Sequence, residues 1–201
     1  MTSPYVEKFR DCLQVIADMA DAEQDPLRKA IANNFLRHAC LEFSGETDLV
    51  LNPTMTVDDP TYHVKWGPSL TTYKGMGDVR GYYDAAMNVL STFQDHTCWV
   101  SDWGIASYST FVRFTTGAVL ASEGMKVDKP DDTEYAQLWP MAMFWPYNED
   151  AKLLGEDVYM LADPEHRELA PDEKFTQADL DEVCRALLRP LSESLLQPLP
   201  N

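Results

Sequence analysis

The sequence predicts an α+β fold, a curved and mainly antiparallel sheet wrapped around helices. Three observations lead there. Apolar residues recur at helical spacing through the first 45 positions, the period shortens to two from about residue 96 to 161, and a last helical pattern follows. A sheet of such long strands must curl, and its concave face can close over the helices to leave a cavity.

The elements follow in order. Val6, Phe9, Leu13, Ile16 and Met19 or Ala20 mark an amphipathic helix over residues 5–22. Pro26 stands where a first helical turn tolerates it, and Leu27, Ile31, Phe35, Ala39 and Phe43 continue one side of a second helix that closes near Gly45. Residues 46–60 lack clear periodicity. Residues 61–66 alternate like a strand, the turn signal PSL follows, and a short strand ends near Gly75 before a helix from about Asp78 to Phe93. HTCWVSDWGIAS, YSTFVRFTTGAVLAS, EYAQLWPMAMFWPY and AKLLGEDVYML read as four strands, with Pro140 and Pro146 demoting the third to edge or bulge geometry. Thr176 caps a final helix that bends at Pro190.

The 201 residues are expected to form one domain, with its core at about 27–161 and a C-terminal extension at 162–201. A formal net charge of -17 argues against a nucleic-acid partner and against anionic membranes, since phosphate binding needs Lys and Arg. Cys12, Cys40, Cys98 and Cys184 are widely spaced, so neither a zinc site nor a CxxC redox motif is expected. With no apolar leader or membrane-length run, the expectation is a cytoplasmic protein with free thiols.

Three pieces of the chain resemble the nuclear transport factor 2-like superfamily, in its polyketide-cyclase-like (SnoaL-like) branch. They are the helix ending EFSGETD, the unit DDPTYHV…YKGMGDVRGYYDAAM, and the strand pair MAMFWPYNEDAKLLGEDVYML. The resemblance implies a cone-shaped fold, acid–base chemistry without a cofactor or metal, and a homo-oligomer (dimer or trimer) formed through the outer sheet face. The 164–201 tail, with its LLRPLSESLL stretch, lies outside the part that resembles the superfamily and is expected to cap the cone mouth or clasp a neighbouring subunit. Fold alone does not decide among the superfamily's dehydratases, isomerases, epoxide hydrolases, cyclases and binding domains.

The candidate catalytic residues are His63, Tyr62, His38, Arg113, Glu156 and Asp102. Alternation places Tyr62, Val64 and Trp66 on the buried face of their strand and His63 outside. Dehydratases of the superfamily carry a catalytic His in a similar T-x-H context, and the epoxide hydrolases an inward Tyr, so both readings stay open. His38 precedes Gly45 by seven residues, where the ketosteroid isomerases of the superfamily carry their Tyr. Arg113 corresponds to an epoxide-hydrolase Arg, although Thr115 stands where a carboxylate would follow it. Glu156 and Asp157 face opposite ways along their strand, and one of them lines the cavity. Asp102 is a third acid, or else a turn carboxylate. Trp66, Trp103, Met143 and Trp145 are the candidate substrate-binding residues, because flat aromatic walls and flexible Met suit a bulky aromatic or polycyclic molecule.

These features together are expected to serve a lyase that dehydrates an aromatic compound or eliminates formaldehyde from it. An isomerase or polyketide cyclase using the same pocket is the alternative, and a non-catalytic binding domain is the rival from another class.

Overall fold

The computed structural model describes residues 2–86 and 89–190. Helix α1 (Pro4–Ala22) begins where the Ser3 side chain accepts from the Tyr5 N–H, and α2 (Pro26–Phe43) where Asp25 accepts from Leu27 and Arg28. Both carry Pro in the first turn, where no intrahelical N–H is required. α1 buries one stripe, whereas α2 is buried on nearly all sides, Arg37 and His38 included. Asn34 anchors α2 by donating to the carbonyls of Met55 (2.9 Å) and Ala151 (2.8 Å).

After the single turn α3 (Thr47–Val50) come β1 (Thr56–Trp66), β2 (Ser69–Lys74), α4 (Gly75–Ala86), β3 (Ser91–Ser101) and β4 (Gly104–Thr116). Then follow α5 (Gly117–Ser122), β5 (Glu134–Pro146), β6 (Leu153–Met160), β7 (Glu165–Glu168) and α6 (Gln177–Leu187). The sheet runs β2-β1-β6-β5-β4-β3, with β7 on β5; β1 and β6 are parallel and every other pair antiparallel. This is the curved α+β architecture that the change of period predicts.

Several elements differ from the sequence reading. The helix expected to reach Phe93 ends at Ala86 among the described residues, and Ser91–Gln94 pair with Arg113–Thr110, so their backbone groups belong to the sheet ladder. GAVLAS is α5 rather than strand, because Thr116 caps it by accepting from the Val119 N–H. The strand boundary expected near residue 107 lies at Asp102–Trp103, before Gly104 (φ 143°), where a Cβ would meet the Trp145 carbonyl oxygen at 2.0 Å.

Pro140 sits mid-strand, not at an edge. Its carbonyl accepts from the Leu161 N–H, so its missing N–H falls on the same side, at the gap where β5 exchanges its partner β7 for β6. The C-terminal extension packs on its own chain as far as described: β7 extends the sheet and α6 lies against α1 and α2. The LSESLL part of the expected cap or clasp lies outside the described residues.

Gly155 pins the parallel pair. It stands opposite Thr61, and a Cβ there would lie 1.8 Å from the Thr61 carbonyl oxygen. The register beyond it sets Tyr62 beside Glu156 and His63 beside Asp157. Side chains in register share a face, so one pair points into the cone and the other out of it.

Candidate active site

The inward pair is Tyr62–Glu156. Tyr62 is fully buried and Glu156 is 4% exposed. Both face α2, whose His38 and Glu42 lie one turn apart on the same side. From α4, Tyr83 completes the group: it follows Val79 by four residues, and both are fully buried.

One nitrogen is the hub. His38 Nε2 is 3.1 Å from Glu156 Oε1, 3.2 Å from Glu42 Oε2 and 3.0 Å from the Tyr83 hydroxyl. Tyr83 donates to Glu156 Oε1 at 2.8 Å, and the Tyr62 hydroxyl lies 3.0 Å from that of Tyr83. A protonated imidazole has a single N–H at Nε2, so two carboxylates compete for one proton.

The electrostatics follow from burial and charge. Burial pushes the His38 imidazole down, but hydrogen bonds to Glu156 and then Glu42 reverse the effect and raise it to about 10. Burial raises the Glu42 carboxyl, with Glu156 adding to the rise and His38 opposing it. Glu156 is thus the first counter-ion of the imidazolium, and the Glu42 carboxyl is held above its ordinary range. Burial likewise holds the Tyr62, Tyr82 and Tyr83 phenols well above their ordinary range, so they serve as neutral donors.

Glu42 and Glu156 lie in the wall of a cavity of about 320 Å³ whose other walls are mostly apolar. Trp66, Phe111, Met143 and Trp145 belong to those walls, and Tyr73 and Tyr82 bring phenols to them. Trp66 is itself 45% exposed, yet packs against Phe111 and Trp139 with centroids 5.7 and 5.3 Å apart. The indole N–H of buried Trp145 has no partner among the described residues. A smaller cavity of about 170 Å³, with Ser44, Ser91 and Gln177 in its wall, also reaches Glu42.

His38 Nε2 and one oxygen each of Glu42 and Glu156 lie within 4.8 Å of one another, which gives them the donors and convergence to hold a metal ion. The same atoms already satisfy one another, with the imidazolium in the position of the cation.

The structure thus brings together Tyr62, His38 and Glu156, with Trp66, Met143 and Trp145 in the cavity wall. Arg113 also lines the cavity but is held elsewhere: both guanidinium NH₂ groups donate to Glu123, at 3.0 and 2.5 Å, and Nε donates to Gln137.

Three candidates lie away from it. His63 is on the outer face, bonded to Asp157 at 2.6 Å, because the strand alternation that turns Tyr62 inward turns His63 outward. Asp102 is an exposed turn carboxylate 3.4 Å from Arg28, and Trp103 in the same turn is 48% exposed against Phe144 outside the cone.

Glu42, Tyr82 and Tyr83 escaped the sequence reading. The available signals were an acid four residues after His38 and the YY doublet on the α4 stripe.

No protein-family model and no curated protein matches the sequence. Among solved structures, a candidate polyketide cyclase from Xanthomonas campestris pv. campestris superposes with a TM-score of 0.50 at 11% identity, covering 66% of this chain and 91% of its own. The protein Bal32a from a soil-derived mobile gene cassette gives 0.49 at 8% identity, over 67% and 92%. An epoxide hydrolase/cyclase-like enzyme of pyran ring formation in the polyether salinomycin gives 0.42 at 13% identity, over 79% and 95%. At such identity the first of these shows the fold, the nuclear transport factor 2-like cone expected from the sequence, and not the chemistry.

Proposed function

We propose that the protein is an acid–base enzyme that removes and returns protons on an apolar aromatic small molecule, using Glu42 and Glu156 as a coupled pair. The observation that carries this reading is the convergence of both carboxylates on one buried imidazole at the wall of an aromatic cavity. Two carboxyls bordering one cavity can supply a base and an acid in one site. His38 and Tyr83 do not line the cavity; they hold the carboxylates and let a proton pass between them.

The finer reading is a lyase. On a para-hydroxyaryl carbinol, the benzylic hydroxyl leaves as water with a proton from Tyr82, while Glu42 takes the proton of the ring hydroxyl. A quinone methide results. If the next carbon bears a hydroxymethyl group, a carboxylate takes its O–H proton and the C–C bond breaks to release formaldehyde. The electron pair restores the aromatic ring. Glu42 requires no cofactor in either step. The same proton relay would serve an isomerase or cyclase, and product mass separates the classes.

Incubation with a panel of para-hydroxyaryl carbinols and diaryl diols should yield products lighter by water, by formaldehyde or by both. Products of unchanged mass would assign an isomerase or cyclase instead. Failure of every such compound to quench the fluorescence of Trp66 and Trp145 would remove the aromatic-ligand reading. An inert binding cone is disfavoured because Arg113 pairs with Glu123, leaving Glu42 and Glu156 bordering open space.

The outer sheet face carries Trp99, Tyr108 and Phe144, at 59%, 44% and 38% exposed, beside the His63–Asp157 pair. Such a face suits a second copy of this chain. Light scattering should give a mass of two or more chains, reduced to one by Phe144→Lys. A monomeric wild-type protein would refute this assembly.

A further inference from the structure

His38 and Glu42 stand four residues apart on α2, so their side chains rise from one face of a single helix, and Glu156 meets them from β6. The three offer one imidazole nitrogen and two carboxylate oxygens, all within 4.8 Å of one another. We propose that these residues also bind a divalent first-row metal ion such as Zn²⁺ or Co²⁺, which takes the place of the imidazolium proton and silences the proton relay. The silencing rests on the acid–base function proposed above; the binding does not.

Charge and geometry both fit an ion here. The imidazolium brings one positive charge to two carboxylates, whereas a dication on the neutral ring matches both. Arg113, the one basic residue in the cavity wall among the described residues, does not make up the difference, because Glu123 holds it. Around an ion with bonds of about 2.1 Å, neighbouring ligand atoms stand roughly 3.0 Å apart at right angles and roughly 3.4 Å apart at tetrahedral angles. His38 Nε2 already lies 3.1 Å from Glu156 Oε1 and 3.2 Å from Glu42 Oε2. Closing the third edge falls to Glu42, whose side chain is 21% exposed against 5% for Glu156. Tyr83 steadies Glu156 by donating to Oε1 at 2.8 Å.

The site is also reachable. Glu42 and Glu156 border the aromatic cavity, and Glu42 borders the smaller one with Ser44, Ser91 and Gln177 in its wall. Those polar walls suit a hydrated ion and the water it keeps, and the displaced proton leaves to solvent by the same route. An imidazole nitrogen among the donors favours Zn²⁺ or Co²⁺ over Ca²⁺ and Mg²⁺, which take oxygen ligands. With His38 and both carboxylates on the ion, none of the three can accept or return a substrate proton.

The test titrates chelator-treated, full-length protein with Zn²⁺ and with Co²⁺, read by calorimetry and by the visible absorption of the Co²⁺ form. One ion per chain is expected, with a dissociation constant on the order of 1 µM. Glu42→Gln keeps the side-chain volume and should weaken binding by about 100-fold. His63→Gln removes the imidazole paired with Asp157 on the outer face and should leave the affinity unchanged. Binding no tighter than about 1 mM, equal affinity in Glu42→Gln and wild type, or loss of binding in His63→Gln would each overturn the site. Zn²⁺ should stop turnover of any aryl compound the enzyme accepts, and a chelator should restore it. A bound ion that leaves turnover intact or raises it would overturn the silencing. Tight binding by a protein inert towards the whole aryl panel would support the site and fail the proposed reaction alone.

Discussion

Glu42→Gln is expected to reduce turnover by about 10²- to 10⁴-fold while leaving the fold intact. The amide keeps the volume and a hydrogen bond towards His38 but cannot accept and return a proton. Glu42 borders the substrate cavity, and its carboxyl is held above the ordinary range by burial first and by Glu156 second. As a base it must be ionised. Wild-type kcat/KM should therefore rise with pH through a limb displaced above the usual carboxyl range, and the variant should lack that limb. Steady-state profiles on whichever aryl substrate is turned over will check this. A variant with full activity and an unchanged profile would remove Glu42 from the mechanism and leave Glu156 as the sole candidate acid.

His38→Leu is expected to destabilise the fold by about 3–5 kcal/mol, because it leaves two buried carboxylates without their shared cation. The pH dependence has a definite sign. The His38 pKa is raised in the folded state to about 10, so its stabilising contribution is complete below the ordinary histidine value and fades as pH rises towards 10. Glu42 is also raised, and its contribution fades in the same direction at lower pH. Urea unfolding of the wild-type protein at pH 6, 8 and 10 should show declining stability, and His38→Leu should lose most of the decline in this window. Equal slopes in both proteins would mean that the imidazole is neutral in the folded state.

The cone was legible because helices and strands differ in period, and the long β3–β6 run is rich in alternating bulky residues. Boundaries failed where local pattern yields to pairing. Ser91–Gln94 continue a helical spacing, yet the ladder with Arg113–Thr110 claims their backbone. Pro140 is a strand breaker by type, and only the exchange of neighbours along β5 makes a harmless place for it.

In the site, alternation favoured Tyr62 inside while the dehydratase resemblance favoured His63, and Glu156 against Asp157 could not be chosen from one strand alone. The two questions were a single one: the parallel register links Tyr62 to Glu156 and His63 to Asp157, so settling either pair settles the other. Parallel partners about 90 residues apart leave no local signal of their register. Glu42 was hidden for a different reason. α2 is buried on nearly every side, so its polar residues do not stand out against a wet face.

The β1–β6 pair carries two acid–base couples back to back, a phenol with a glutamate inside and an imidazole with an aspartate outside. Sliding either strand by one position breaks both couples, and turning both strands over together would present His63 and Asp157 to the cavity. Gly155 resists such slippage, since a side chain in its place would collide with the Thr61 carbonyl. For protein engineering, this makes the parallel pair a cassette with two chemistries written on opposite sides. A redesign that moves the glycine and lengthens both strands by one residue would exchange the reactive groups while leaving the residue types untouched.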